Sequence, residues 1–471
     1  MKTLIFVFIL ISSPFVLAKG VSPYLPLNLA PEIEHHIEQV VALTSDTPVI
    51  KPYRAADIAI RVKQIEENYP ALAYRVNGYL SRYGKRAAIT NVSAEASVSS
   101  DTDSALANRR NQGVDESYSF SASAHAYLTP NVLASVGSTF SQDNKITHQN
   151  TYLAVGWSQF QVDFGYREHW FSPFEDSAML ISTNAKSSPS LTVSNAVPLT
   201  KWGLRYELFY SILEPVDGIV LGEGLFPGSP RLGGFHLSVN PLDNWTVGFN
   251  RTLQFGGGAR DVTFSDFIGA FFDPAGRDNV GDIESDDPNL EFGNQQASVT
   301  TRLNLNWGIP FSVYGEYAGE DTVNNSNFSL GNVATSLGVF FPFITEDISF
   351  RAEYVDFSDA WYVHHLYPDG YTNDGQIIGN FAASFRESGS GTSGRTLALR
   401  SLWNIKANQL LDVRIRAIQL DDTVNESYET GAFVSVAYSY ATQYGIFGVE
   451  GMHAKEPLGD SVSRLSIFYR W

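Results

Sequence analysis

The sequence predicts a transmembrane β-barrel of about eighteen antiparallel strands behind a small N-terminal α-helical unit, and three observations carry that prediction. The chain ends on Leu465-Ser466-Ile467-Phe468-Tyr469-Arg470-Trp471, which sets Leu465, Ile467, Tyr469 and Trp471 on one face of a strand and closes on an aromatic, the habit of bacterial outer-membrane barrels. From Ala88 onward apolar residues recur with period two, in stretches joined by connections that are short and long in turn. Trp157, Trp202, Trp245, Trp307, Trp403 and Trp471 lie at or beside the short-connection ends, where an amphipathic ring favours the headgroup layer. Trp170 and Trp361 do not.

At the N-terminus, Lys2, the apolar run Leu4 to Ile11 and the small-residue ending Val16-Leu17-Ala18 read as an export signal cleaved after Ala18. Residues 1–18 are therefore set apart from the fold. No later apolar stretch approaches the roughly 20 residues that a membrane-spanning helix needs. With no cysteine, an exported chain must hold together without disulfides, which a closed sheet does by pairing every backbone group internally. The net charge of -18 disfavours a nucleic-acid-binding surface, and the acidity gathers in expected loops such as Asp282 to Glu291.

Residues 19–84 follow a helical period. Pro31 suits a first helical turn, and Ile33, Ile37, Val40 and Val41 then share a face; Ile58, Val62 and Ile65 repeat the pattern; Pro70 reopens it, with Leu72, Val76, Tyr79 and Tyr83 ending near Gly84. This three-helix unit is expected at the periplasmic mouth as a plug, because the first strand must start on the side where the last one ends. Residues 85–471 form the barrel.

The first two strands show the alternation plainly. Ala88, Thr90, Val92, Ala94, Ala96 and Val98 face one way and Asn91, Ser93, Glu95, Ser97 and Ser99 the other; Tyr118, Phe120, Ala122, Ala124, Ala126 and Leu128 alternate with serines and His125. Further strands are expected near 132–141, 151–158, 160–167, 190–197, 203–213, 231–240, 245–255, 295–307, 311–318, 332–341, 347–356, 395–403, 409–419, 430–441, 444–453 and 461–471. The stretch Ser177 to Asn184 looks strand-like, but a crossing there would put long connections on the wrong side, so it is assigned to a loop. Arg251 falls on the lipid side with Trp245, Val247, Phe249 and Leu253, at a cost of roughly 2 to 4 kcal/mol at the bilayer midplane. A bulge, or a higher position, would relieve it.

The inward face carries Arg205, Arg302, Arg351, Arg400, Arg414, Arg416 and Arg464 against Glu95, Glu207, Glu316, Glu353, Asp412 and Glu450. Pairing across neighbouring strands would keep a wide lumen polar and rigid; a polar channel for small solutes or sugars would use the same charges. Of the long loops, Phe357 to Gly394 combines Trp361, Tyr362, His364, Tyr367 and Tyr371 with Asp374. Aromatic faces stack on pyranose rings while amides and carboxylates bind hydroxyls, so these residues, with Trp170, are the candidate polysaccharide-binding set; a loop that folds back on itself would use the same aromatics for its own packing, and composition favours neither reading. Glu34-His35-His36-Ile37-Glu38 lacks the zinc-binding spacing and is better explained as an exposed helical face. No nucleophile motif joins serine to histidine. A non-enzymatic protein without metal or cofactor is expected.

Specific stretches resemble the capsule-assembly Wzi family of outer-membrane proteins: Ser172-Pro173-Phe174-Glu175-Asp176-Ser177 through Ala185 to Pro189, Phe226-Pro227-Gly228 leading into Asn240-Pro241-Leu242-Asp243-Asn244-Trp245, and Tyr367-Pro368-Asp369-Gly370-Tyr371 to Ile378-Gly379. The resemblance covers nearly all of the mature chain. It implies an outer-membrane, lectin-like protein that attaches or organises capsular polysaccharide or another exopolysaccharide at the cell surface, with the helical bundle closing the periplasmic side; a monomer surrounded by outer-membrane lipid is the expectation set beside it. His169-Trp170-Phe171-Ser172-Pro173 departs from the Gly-Pro-Gly-like turn of many members, which implies different loop chemistry and a different glycan.

Overall fold

Each wall strand pairs antiparallel with its neighbours in sequence, and the ring closes where Ala87–Ser99 meets Ser461–Arg470, with Ser93 opposite Arg470 and Ser99 opposite Arg464. The structure, a computed structural model, describes residues 20–471 apart from 101–103, 261, 264–265, 268, 271–291, 321–328 and 387–388. The expected export signal and the acidic stretch Asp282 to Glu291 lie outside the described residues. Ile146–His148 and Thr151–Trp157 both pair with Val132–Ser141 and make one interrupted crossing, so the barrel has eighteen strands. Each expected strand is present within a few residues of its expected bounds. Ser177 to Asn184 contains no strand.

Hydrocarbon is the solvent that makes this alternation favourable. Leu465 and Ile467 are exposed on the outside, whereas Arg464 and Ser466 are buried within, so apolar side chains face lipid and polar ones line the lumen. The six girdle tryptophans are all exposed, Trp307 by 80%. Trp170 and Trp361 are buried.

Two details of the wall differ from the simple pattern. The register shifts between Ile89 and Asn91, which leaves Ile89 outside and buries Thr90, whose hydroxyl meets that of Ser123 at 2.9 Å; a single extra residue flips the face. Arg251 needs no bulge, since its strand Trp245–Phe255 pairs without a break with Gly293–Asn306. It sits high, roofed by loop residues, and donates to the carbonyl of Ala270 at 2.9 Å and to Gln295. Beside it Leu253 and Phe255 pack against Ala270 and Phe292, so these outward positions meet protein rather than lipid.

Within the ring lie three helices, α1 Pro31–Leu43, α2 Ala55–Ile65 and α3 Pro70–Leu80. Proline opens α1 and α3, where its missing N–H costs nothing. Ile37, Val40, Val41, Ile58, Val62, Ile65, Leu72 and Val76 form their common core. The wall grips this unit through polar contacts: Asn304 donates to the carbonyls of Val41 and Thr44 at 3.0 and 2.9 Å and to the Thr47 hydroxyl at 2.7 Å. The His35 segment is not an exposed face, because His35 and Glu38 are buried. Glu38 meets Lys51 at 3.0 Å, Arg351 at 3.3 Å and Arg302 at 3.6 Å.

Candidate functional site

Above the helices, the connection 167–189 turns down into the barrel instead of lying on its rim. Its Trp170 exchanges backbone hydrogen bonds with Lys51 at 2.9 and 3.0 Å, joining it to the helical unit. Phe174 packs edge-on to Tyr314 of the wall, with ring centroids 4.9 Å apart. The backbone N–H groups of Glu175 and Asp176 donate to Glu353 at 2.9 and 2.8 Å.

These acids change the expected pairing of the wall charges. Arg351 reaches Glu38 and, at 3.0 Å, Glu175; Arg416 reaches Asp176; Arg205 reaches Asp46 at 2.6 Å and Asp57 at 3.4 Å. Only part of the set pairs from strand to strand, as Arg400 does with Asp412 at 2.8 Å and Arg464 with Glu95 at 3.2 Å, while Arg414 meets Asp412 of its own strand at 3.0 Å. The arginines bind what fills the barrel. A second shared acid is Glu207, which accepts from Arg167 and lies 2.7 Å from His169.

The third layer is the long connection 358–393, and it contains the expected aromatic set apart from Trp170, which lies in 167–189. Trp361 is 0% exposed, Tyr362 and Tyr371 1%, Tyr367 2%, Trp170 4% and His364 9%. The rings of Trp361 and Tyr362 meet edge to face at 5.5 Å, and Tyr371 stacks on Tyr362 at 6.0 Å. Tyr362 donates to the Met179 carbonyl at 2.6 Å and accepts from the Asn380 N–H at 2.9 Å, while Tyr367 donates to the Gly256 carbonyl at 3.1 Å. Burial pushes the hydroxyls of Tyr362 and Tyr371 well above the ordinary tyrosine range. Gly370, at φ +70°, makes the turn that returns Tyr371 onto Tyr362; a Cβ there would lie 2.2 Å from the Tyr362 carbonyl oxygen.

A sugar needs an open ring face, and these rings have none. Their composition resembled a sugar platform because a loop that folds on itself needs the same large apolar surfaces, with hydroxyls to satisfy buried carbonyls. Trp361, Tyr362, Tyr367, Tyr371 and Trp170 form the packed support, with His364 at its edge. Asp374 alone of the candidate set is exposed.

Around Asp374 three connections converge. Lys186 lies 3.1 Å from Asp374 and 3.3 Å from Glu214, and Asn111 donates to the Asp374 carbonyl at 3.1 Å. Asn373 donates to the Lys186 carbonyl at 2.8 Å and to the Ser188 hydroxyl at 3.0 Å, and accepts from the Glu214 N–H at 2.9 Å. Partial burial would lower the Lys186 ammonium, but the two carboxylates hold it above its ordinary value. A small cleft of about 40 Å³ opens beside this cluster. Lys186 and Glu214 carry no signal in the sequence, since their meeting depends on three remote loops. Among the described residues no group of three or more histidines and acids is arranged to hold a metal ion.

Comparison with known proteins adds what geometry alone does not. The family model for capsule assembly protein Wzi matches residues 81–452, well over half of the chain. An uncharacterised 55.8 kDa protein from the cps region of Klebsiella pneumoniae is 26% identical over 212 residues, 42% of this chain and 38% of that protein. The aligned stretch is thus well under two thirds of that relative. The solved structure of Wzi from Escherichia coli, described as an outer-membrane protein involved in group 1 capsule assembly and a carbohydrate-binding β-barrel, superposes with a TM-score of 0.71 at 14% identity, covering 95% of this chain and 99% of that one. The chain belongs to the Wzi family of capsule assembly proteins.

Proposed function

We propose that the protein is a non-enzymatic, lectin-like component of the outer membrane that holds or organises capsular polysaccharide or another exopolysaccharide at the cell surface. Family membership supplies the chemistry. The observation that carries the reading furthest is the stacking of helices, inward loop and aromatic-cored loop across the barrel, tied by the Lys51–Trp170 backbone hydrogen bonds and the Tyr362 hydroxyl on the Met179 carbonyl. A filled barrel offers a rigid outer platform rather than a wide aqueous path. In this reading residues 1–18 export the chain, residues 19–84 close the periplasmic side, and residues 85–471 stand as a monomer in lipid. The polar rim at Asp374 and Lys186 contacts glycan hydroxyls or carboxylates, with the buried aromatics as its foundation.

The test is a deletion strain complemented with the wild-type gene. Polysaccharide should move from the cell-bound to the released fraction with total synthesis unchanged, and complementation should restore it. Unaltered partitioning refutes the proposal.

A further inference from the structure

The three layers do not fill the barrel evenly. A cavity of about 310 Å³ remains along one side of the lumen, against the wall formed by the first strand and the last ones. It reaches from Lys145, in the connection after Val132–Ser141, to Arg470, one residue before the end of the chain.

Its chemistry differs from that of the rest of the molecule. The chain carries 32 basic against 50 acidic residues, yet among the described residues lining this cavity cationic side chains slightly outnumber acidic ones. Most of the arginines are consumed by the pairs described above, and three retain capacity. Arg414 shares Asp412 with Arg400 and keeps 46% of its side chain exposed, facing the cavity. Arg109 has a single carboxylate, Glu95 at 3.3 Å, and is 37% exposed. Arg470 stacks on the Phe468 ring, 3.8 Å from its centroid, and makes no ion pair among the described residues. Serine hydroxyls, among them those of Ser435 and Ser466, and the Phe433 ring also line it.

Guanidinium forks recognise carboxylates in two-point contacts, and hydroxyls and an aromatic edge suit a pyranose. We infer that this cavity is a binding site for an acidic saccharide, one bearing carboxylate groups, with Arg414, Arg470 and Arg109 as its anion-binding residues. The inference rests on the glycan-binding reading above and adds to it the class of sugar and a place inside the barrel. Glu95 and Glu450 on the same wall make the site selective for spaced charges, since an anion is favoured only where it meets a guanidinium.

The full-length protein in detergent, checked as folded by its heat-dependent gel mobility, is titrated calorimetrically with tetragalacturonate and with neutral maltotetraose. The acidic tetrasaccharide should bind at least tenfold more tightly, and Arg414→Gln and Arg470→Gln should each weaken it about fivefold while leaving mobility unchanged. Because the chain has no cysteine, Ser435→Cys offers a second readout that needs no arginine variant: tetragalacturonate should slow maleimide labelling there, and maltotetraose should not. Absent binding of tetragalacturonate, equal binding of the two sugars, or unprotected labelling overturns the inference. In cells, polysaccharide release by the deletion strain but not by the double glutamine variant overturns the cavity site and leaves the surface-glycan reading standing. Normal retention in the deletion strain overturns that reading, while the calorimetry still decides the cavity.

Discussion

Arg351 of the barrel wall lies 3.3 Å from Glu38 of α1, and both side chains are buried. This contact joins two parts of the chain more than three hundred residues apart, and Lys51 and Arg302 share the same carboxylate. Removing Glu38 would leave three buried cations facing one another. Glu38→Ala should therefore cost about 3 to 5 kcal/mol of helix seating. Limited proteolysis of the folded barrel should then cut between residues 20 and 84, which the wild type resists; equal resistance would refute the anchoring role.

Acid should loosen the same contact. Burial alone would raise the Glu38 carboxyl, but the charges of Lys51, Arg351 and Arg302 outweigh it and hold the group well below its ordinary 4.5. A carboxyl depressed in the folded state contributes stability that is complete above its unfolded value and lost as pH falls toward the folded one. Protease resistance of the helical unit should be level from neutrality to about pH 5 and decline below about pH 4. The Glu38→Ala protein should lack that decline.

Trp361→Ala and Tyr371→Ala should act on loop stability before they act on sugar. Each removes a large side chain with no exposed surface, at a cost of about 3 to 5 kcal/mol to the packing of the 358–393 connection. Thermal release of that loop to protease should begin at lower temperature in both variants. A loss of glycan binding with loop resistance intact would instead return the rings to direct contact.

The exposed cluster should behave in the opposite way. Lys186→Ala and Asp374→Ala remove charged hydrogen-bonding groups from the rim, and each should weaken polysaccharide binding by about 1.5 to 3 kcal/mol. Loop resistance should change little, because Asn373 and the aromatic core still hold the three connections together. Surface plasmon resonance on immobilised polysaccharide provides the measurement. Unchanged affinity in both variants moves the contact elsewhere on the rim.

Planar bilayers should record at most small, steady currents from the whole chain. Deleting residues 20–84 should not produce the conductance of an empty eighteen-stranded ring, because 167–189 remains tied to the wall through Glu353 and 358–393 remains tied to Glu320 and Gly256. A wide-open pore after that deletion alone would show that the helices are the whole barrier.

The wall was legible in the sequence because a bilayer imposes one rule on every crossing. Period two, tight turns alternating with long connections, and tryptophans on one rim are all local consequences of lipid outside and polar lumen inside, and Leu465 to Trp471 displays them within seven residues. The helices were legible for a similar reason, since Ile37, Val40 and Val41 show a stripe that needs burial. The exceptions at Thr90 and Arg251 were visible only as misfits or not at all, because a register shift and a roofing loop are set by neighbouring segments.

The interior was another matter. Composition alone could not separate a sugar platform from a loop's own core, so Trp361, Tyr362 and Tyr371 carried the same signal for either role; burial decided between them. Nor does a lone Lys186 or Glu175 announce a partner, since long-range ion pairs leave no periodicity. By itself the sequence determined the barrel, its strand count and, outside the register shift at Ile89–Asn91, which face of the strands meets lipid, because those follow from the solvent around each short segment. The tertiary structure alone decided what fills the barrel and which polar groups meet there, because contacts between remote loops depend on how the closed ring brings them together.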